Sequence, residues 1–373
     1  MPGPNLQAPA PQVGAYTDIG DIAALGTTQM TELAHTYEQF HGNPLMDLFH
    51  VRNVEQSVIM IERMRMGVGI APLVRMGGVD RMTDSPTIEQ RYVAPLTIRE
   101  SDFIPQHVIN ILRQPGTPNQ RWGEQQVQMR VQRLTQRSNF FWQVMMAKVL
   151  VENGINYTDP RTGESVSVSS GIPSTNIKTL VGSGNEFENL TTAKPIDVLR
   201  FFRGLLRNIA KATPDTLIMS SELRDILTLN TQVIARQEGF GAGPITQFVR
   251  FEDGDLVSIA GLKIRTVDTI YEDPATGLKK KLWPIDKVVV LVTNHAETPG
   301  VKIGRMDYCM GESPDGGTGL WVRDGGPTLP PYAPGRAIQM GNTGMPYLFN
   351  PDWAGILTVG DKAALEALIP QTI

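Results

Sequence analysis

Between Arg65 and Gly154 the chain runs through two unusual shapes in succession, an extended hairpin and then one very long helix. The spans Met66–Val74 and Ile88–Ile98 read as strands, separated by a turn-rich tip from Gly77-Gly78 through Asp84-Ser85-Pro86. Each carries a proline, Pro72 and Pro95, which a sheet interior excludes because proline has no N–H to give to the ladder. Two strands with nothing else to pair with are marginal in water. The apolar residues Val68, Ile70, Leu73, Tyr92, Leu96 and Ile98, with Arg75, Arg81 and Arg91 among them, are more than a lone hairpin can bury. A neighbouring subunit is the simplest cover. The pattern points to assembly rather than catalysis.

The helix is expected from a cap at Asn119 to a stop at Asn153-Gly154, a span of about 50 Å at 1.5 Å per residue. Val127, Val131, Leu134, Phe141, Met145 and Val149 fall on one stripe at 100° per residue, so it lies along a core. Arg130, Arg133 and Arg137 form a second stripe roughly 90° round. Upstream, residues 1–64 read as an arm, Pro-rich at its start, with short helices at Thr28–Phe40 and Val54–Arg63.

Downstream, two strand–turn–strand units share one turn chemistry. Tyr157-Thr-Asp-Pro-Arg-Thr-Gly-Glu164 links Ile155 to Val166–Val168, and Tyr271-Glu-Asp-Pro-Ala-Thr-Gly-Leu278 links Leu262–Val267 to the run ending in Val288–Val292. Asp-Pro opens each turn and glycine supplies a φ > 0 position. Between them lies a helix from Pro195 to Ala210, apolar at Ile196, Leu199, Phe202, Leu206 and Ile209. A strand at Thr216–Met219 feeds a helix opened by Ser220-Ser221, and the tail offers a strand at Gly355–Val359 and a helix at Lys362–Leu368. Strands and helices interleave without a βαβ rhythm, which predicts an α+β chain. At 373 residues it is long enough for two packed lobes.

Composition removes most other functions. A formal net charge of −4 argues against a general nucleic-acid binder, and the single cysteine, Cys309, excludes intrachain disulfides and Cys-rich metal sites. The start lacks the basic and apolar regions of a leader, and runs such as Val288–Val292 are strand length, so a soluble chain made in the cytoplasm is expected. Neither His35, His41, His50, His107 nor His295 sits i, i+4 from another, and Gly182-Ser-Gly184 and Gly239–Gly243 match no phosphate or dinucleotide loop. Glu252-Asp-Gly-Asp255 reads as a turn. No catalytic, metal or cofactor site is expected.

Charge type is more telling: no lysine precedes Lys148, while arginine recurs from Arg52 to Arg137. Arginine forms forked bonds to carboxylates and suits interface pairs.

The order of arm, hairpin, long helix, turn-linked strands and helix–strand lobe resembles the major capsid proteins of tailed double-stranded DNA bacteriophages, closest to the lambda-like major head proteins. The most specific local match is Ala260–Asp273 through Thr276-Gly277, then Trp283-Pro284 and Lys287–Leu291. The resemblance implies the tailed-phage capsid fold: arm 1–64, hairpin loop 65–99, peripheral domain 100–194 with spine helix 120–153, axial domain 195–294, a return to the peripheral domain at 295–345, and an axial C-terminal segment 346–373. Hexamers and pentamers would close an icosahedral shell around packaged DNA in the virion, with arm and hairpin crossing neighbours. Arg130, Arg133 and Arg137 would face DNA or a neighbouring subunit. A portal and a decoration protein are implied as partners. So is a separate scaffolding protein, since too little chain precedes the hairpin to carry one. Two rival readings are a nanocompartment shell enclosing enzymes and a soluble enzyme or binding module. Some capsids of this fold are hardened by an isopeptide bond from a hairpin lysine. This hairpin has none, and arginine cannot substitute.

Overall fold

The computed structural model describes residues 25–40, 45–65, 87–112, 118–158, 163, 165–238, 249–252, 254–272, 277–293, 300–311, 317–327 and 335–369. Helix α1 (Thr27–Phe40) is followed by strands β1 (Phe49–Val54), β2 (Ile59–Arg65), β3 (Thr87–Val93) and β4 (Leu96–Pro105), then helices α2 (Gln106–Leu112) and α3 (Pro118–Val151). Strands β5 (Gly154–Thr158), β6 (Ser165–Ser169) and β7 (Ile177–Thr179) lead to α4 (Pro195–Ala210), β8 (Thr216–Met219), α5 (Ser221–Thr228) and α6 (Thr231–Glu238). Then come β9 (Val249–Glu252), β10 (Asp255–Ile259), β11 (Leu262–Thr266), β12 (Ile270–Glu272), β13 (Lys279–Lys281) and β14 (Lys287–Leu291). Strands β15 (Gly304–Cys309), β16 (Trp321–Pro327), β17 (Gly335–Leu348) and β18 (Ala354–Thr358) and helix α7 (Lys362–Ala367) complete the chain.

Two compact units emerge. The first comprises residues 1–41, 97–138 and 311–343, and the second 42–96, 139–310 and 344–373. Two of the divisions, after residues 138 and 343, fall inside α3 and β17.

In the first unit, Val127, Val131 and Leu134 of α3 pack with Val108, Ile109 and Leu112 of α2 and with Val322, Ile338 and Met340 of β16 and β17. Helix α1 belongs to this core rather than to a free arm: Met30 and Ala34 are buried, and the Thr31 hydroxyl both donates to the Val322 carbonyl (3.0 Å) and accepts from its N–H (3.1 Å). Glycine is required at 341 by close approach, since a side chain there would strike the Trp321 ring.

The second unit is built on a seven-stranded sheet in the order β7-β18-β14-β8-β11-β10-β9. Helix α4 lays Ile196, Leu199, Phe202 and Leu206 into its core, beside Val288 and Val290, which share one face of β14. The Ser220 side chain caps α5 by accepting from the Leu223 N–H (3.3 Å). Helix α3 stops where expected: Asn153 takes a left-handed φ of 54° and its side chain bonds both polar groups of Ile172.

Three expectations need correction. Residues 54–63 are not a helix but the end of β1 and the start of β2, because Ile59 and Ile61 alternate into the core with period 2. The run Ile88–Ile98 is two strands, broken at Ala94-Pro95 where proline cannot pair. The second turn unit joins β12 to β13 as its own hairpin, Ile270 opposite Lys281, and does not link β11 to β14. Gly163 and Gly277 do supply positive φ, at 75° and 67°.

Candidate functional site

The expected assembly hairpin is described at its root. β2 and β3 pair antiparallel from Ile59–Val93 to Arg65–Thr87. The expected strand Met66–Val74, with Val68, Ile70, Leu73 and Arg75, and the tip with Arg81, lie outside the described residues. On β3 Arg91 and Tyr92 are exposed, Tyr92 at 67%. Leu96 is buried inside its own chain, and Ile98 packs partly on the first unit's core.

That root is pinned by an ion network within the second unit. Arg52 forks onto Asp307, Nε to Oδ1 at 3.0 Å and Nη2 to Oδ2 at 2.7 Å, and the Tyr347 hydroxyl donates to the same Oδ2 at 3.1 Å. Asp307 is fully buried. Glu62 of β2 accepts from Arg305 and lies 3.7 Å from Arg52 Nη1, while the Arg305 guanidinium stacks 3.7 Å from the Phe349 ring centroid. Arg63 donates to the Ser169 carbonyl. The hydrogen bonds to Asp307 hold Arg52 well above its ordinary pKa, against the cost of its burial. Burial and the same carboxylate push Tyr347 up to about 12 and Cys309 up to about 11. Cys309 is fully buried, which makes the thiol a packing group.

The arginine stripe of α3 meets acids of its own chain. Arg137 forks onto Glu100, both contacts 2.7 Å, and Arg130 Nη1 lies 3.1 Å from Asp102 Oδ1. Glu100 and Asp102 alternate on one face of β4. Arg133 is exposed and forms no ion pair among the described residues.

Two features escaped the sequence reading. The Arg52–Asp307 pair spans 255 residues and has no local signal. Phe201, by contrast, had a local signal: of the adjacent Phe201-Phe202, only Phe202 falls on the apolar stripe of α4, and Phe201 is 75% exposed. Among the described residues no group of three His, Cys, Asp or Glu could hold a metal ion, and no helix is long and apolar enough to cross a membrane.

The family model described as phage major capsid protein E matches residues 27–301. Among solved structures, a protein of an Escherichia coli CFT073 prophage assigned to its capsid is 13% identical, with 90% of this chain and 99% of that one covered at a TM-score of 0.61. A phage-related protein from Bordetella bronchiseptica RB50 is also 13% identical, with 90% and 97% covered at 0.54. These likenesses show the fold. No curated protein matches the chain in sequence.

Proposed function

Because the chain belongs to the phage major capsid protein E family, we propose that it assembles as hexamers and pentamers into an icosahedral shell around packaged double-stranded DNA. Its role is structural, as a capsid shell protein of the virion. The observation that carries the finer reading is the β2–β3 ribbon. Its root is held by Ile59, Ile61 and the Glu62–Arg305 pair, yet its second strand exposes Arg91 and Tyr92 and belongs to neither large sheet. A two-stranded ribbon gains stability from whatever covers it. A second copy of the chain is that cover, and residues 65–99 cross onto it.

On this reading the shell forms around a separate scaffolding protein, fills through a portal and takes a decoration protein. The second unit's sheet, with α4 to α6, supplies the axial contacts, and the spine helix α3 runs through the peripheral part. Arg133 is the spine arginine with charge to spare for DNA, which it would meet through phosphates and without reading sequence.

Deleting the tip, Gly77 to Pro86, tests the hairpin. The variant is expected to fold and to melt as the intact chain does, but to give no closed particles under the electron microscope. Normal shells from it would overturn the crossing of residues 65–99.

A further inference from the structure

Helix α4 carries a glycine that nothing among the described residues requires. Gly204 sits in the body of the helix with an ordinary helical φ, and a Cβ built there meets no atom within 4 Å. Glycine is the poorest helix former after proline, so an unforced glycine in a helix body is a local loss. Gly123 of α3 makes the contrast: its missing side chain makes room for Leu112.

Around Gly204 lies a face the chain leaves uncovered. Phe201 is 75% exposed at i−3, Leu205 is half-buried, and Asn208 is exposed at i+4. Arg200 and Arg207, both exposed, flank the notch at i−4 and i+3. Arg207 forms no ion pair among the described residues. The one carboxylate of the helix, Asp197, is engaged by the Gln232 side chain at 2.8 Å.

Resting on the shell reading, we propose that this face is a heterologous contact: Leu229 of one copy seats in the Gly204 notch of the next, beside Phe201. A ring of more than two copies is built from contacts between unlike faces, so on the shell reading the Gly204 face meets a different surface of the next copy. The complement lies at the end of α5 in the same unit. Leu229 is 57% exposed at the end of α5, one helical turn after Asp225, whose side chain is 66% exposed. Arg224 is shared between Asp225 and Asp255, which leaves one carboxylate charge in excess there to meet Arg207. A contact between unlike faces repeats head to tail, and where its rotation closes it gives a ring, the symmetry a capsomer needs.

The test uses the full chain co-expressed with its flanking genes, with ring and particle yield read by analytical ultracentrifugation and folding read by thermal melts. Gly204→Gln fills the notch at a position where a Cβ has open space, and Phe201→Ser removes an exposed ring. Both are expected to melt no lower than the parent while ring yield falls at least about tenfold, as for loss of a central contact. Arg207→Glu is expected to fail likewise, and Arg207→Glu with Asp225→Arg to recover, since the swapped pair re-forms between copies. Parent-level rings from Gly204→Gln and Phe201→Ser, or a double charge variant no better than Arg207→Glu, would overturn the contact and leave the shell reading intact. A parent chain that never forms rings or particles would refute the shell reading and take this inference with it.

Discussion

Asp307 is the residue on which the second unit's polar interior depends. A fully buried carboxylate is tolerable only when its oxygens are matched, and here Arg52 and Tyr347 match them. Arg52→Met should cost about 3 kcal/mol, the lower end for a broken buried pair, because the arginine is partly exposed. Adding Asp307→Leu should recover most of that loss in urea unfolding, since the uncompensated charge goes too. A double variant as weak as the single one would count against this account of Asp307. The pH dependence has a definite sign. Cys309 and Tyr347 are raised from ordinary values of 9.0 and 10.0 to about 11 and about 12 in the fold. The unfolded chain therefore releases these protons first, so the contribution is whole below pH 9 and is lost between about 9 and 12. The urea midpoint should fall across that range, and Cys309→Ala should flatten its lower half. An unchanged profile in Cys309→Ala would contradict the assignment.

At the level of elements, local chemistry was enough wherever a segment makes its own case. Pro195 at the first turn and one apolar stripe mark α4 from end to end, Ser220 marks the start of α5, and Asn153-Gly154 marks the stop of α3. What the sequence could not show depends on partners far along the chain. β2 is a strand because Ile59–Arg65 finds Thr87–Val93, and the alternation of Ile59 and Ile61 alone is too short to mark it. The spine arginines carry the same lesson. Their stripe was plain, but their partners Glu100 and Asp102 lie on β4, 37 and 28 residues earlier. Because both pairs are partly exposed, Arg130→Gln and Arg137→Gln should each cost the unassembled chain only about 0.5–1 kcal/mol. Arg133→Gln should leave its melting unchanged and, if that side chain meets DNA, lower retention of DNA in filled particles as salt rises. Equal melts for all three variants would put the own-chain pairs in doubt.

For the whole molecule, the residue type that is missing says most. With Arg65, Arg75, Arg81, Arg91 and Arg99 on the hairpin and no lysine before Lys148, no neutral amine is available there to attack a neighbour's side-chain amide. The shell is therefore expected to be held by non-covalent contacts, and mature particles boiled in detergent should run as one band near 41.0 kDa. A ladder of multimers would contradict that. Packaged content separates the two kinds of shell: double-stranded DNA fits the phage head, and enclosed enzymes would fit a nanocompartment. The central claim is that this chain exists to assemble. Its most direct test is the mass of the native product, measured by sedimentation and checked by negative-stain microscopy after co-expression with the flanking genes. Closed particles of megadalton mass built from this one chain are the predicted result, and a monomer or small oligomer under every condition would contradict it.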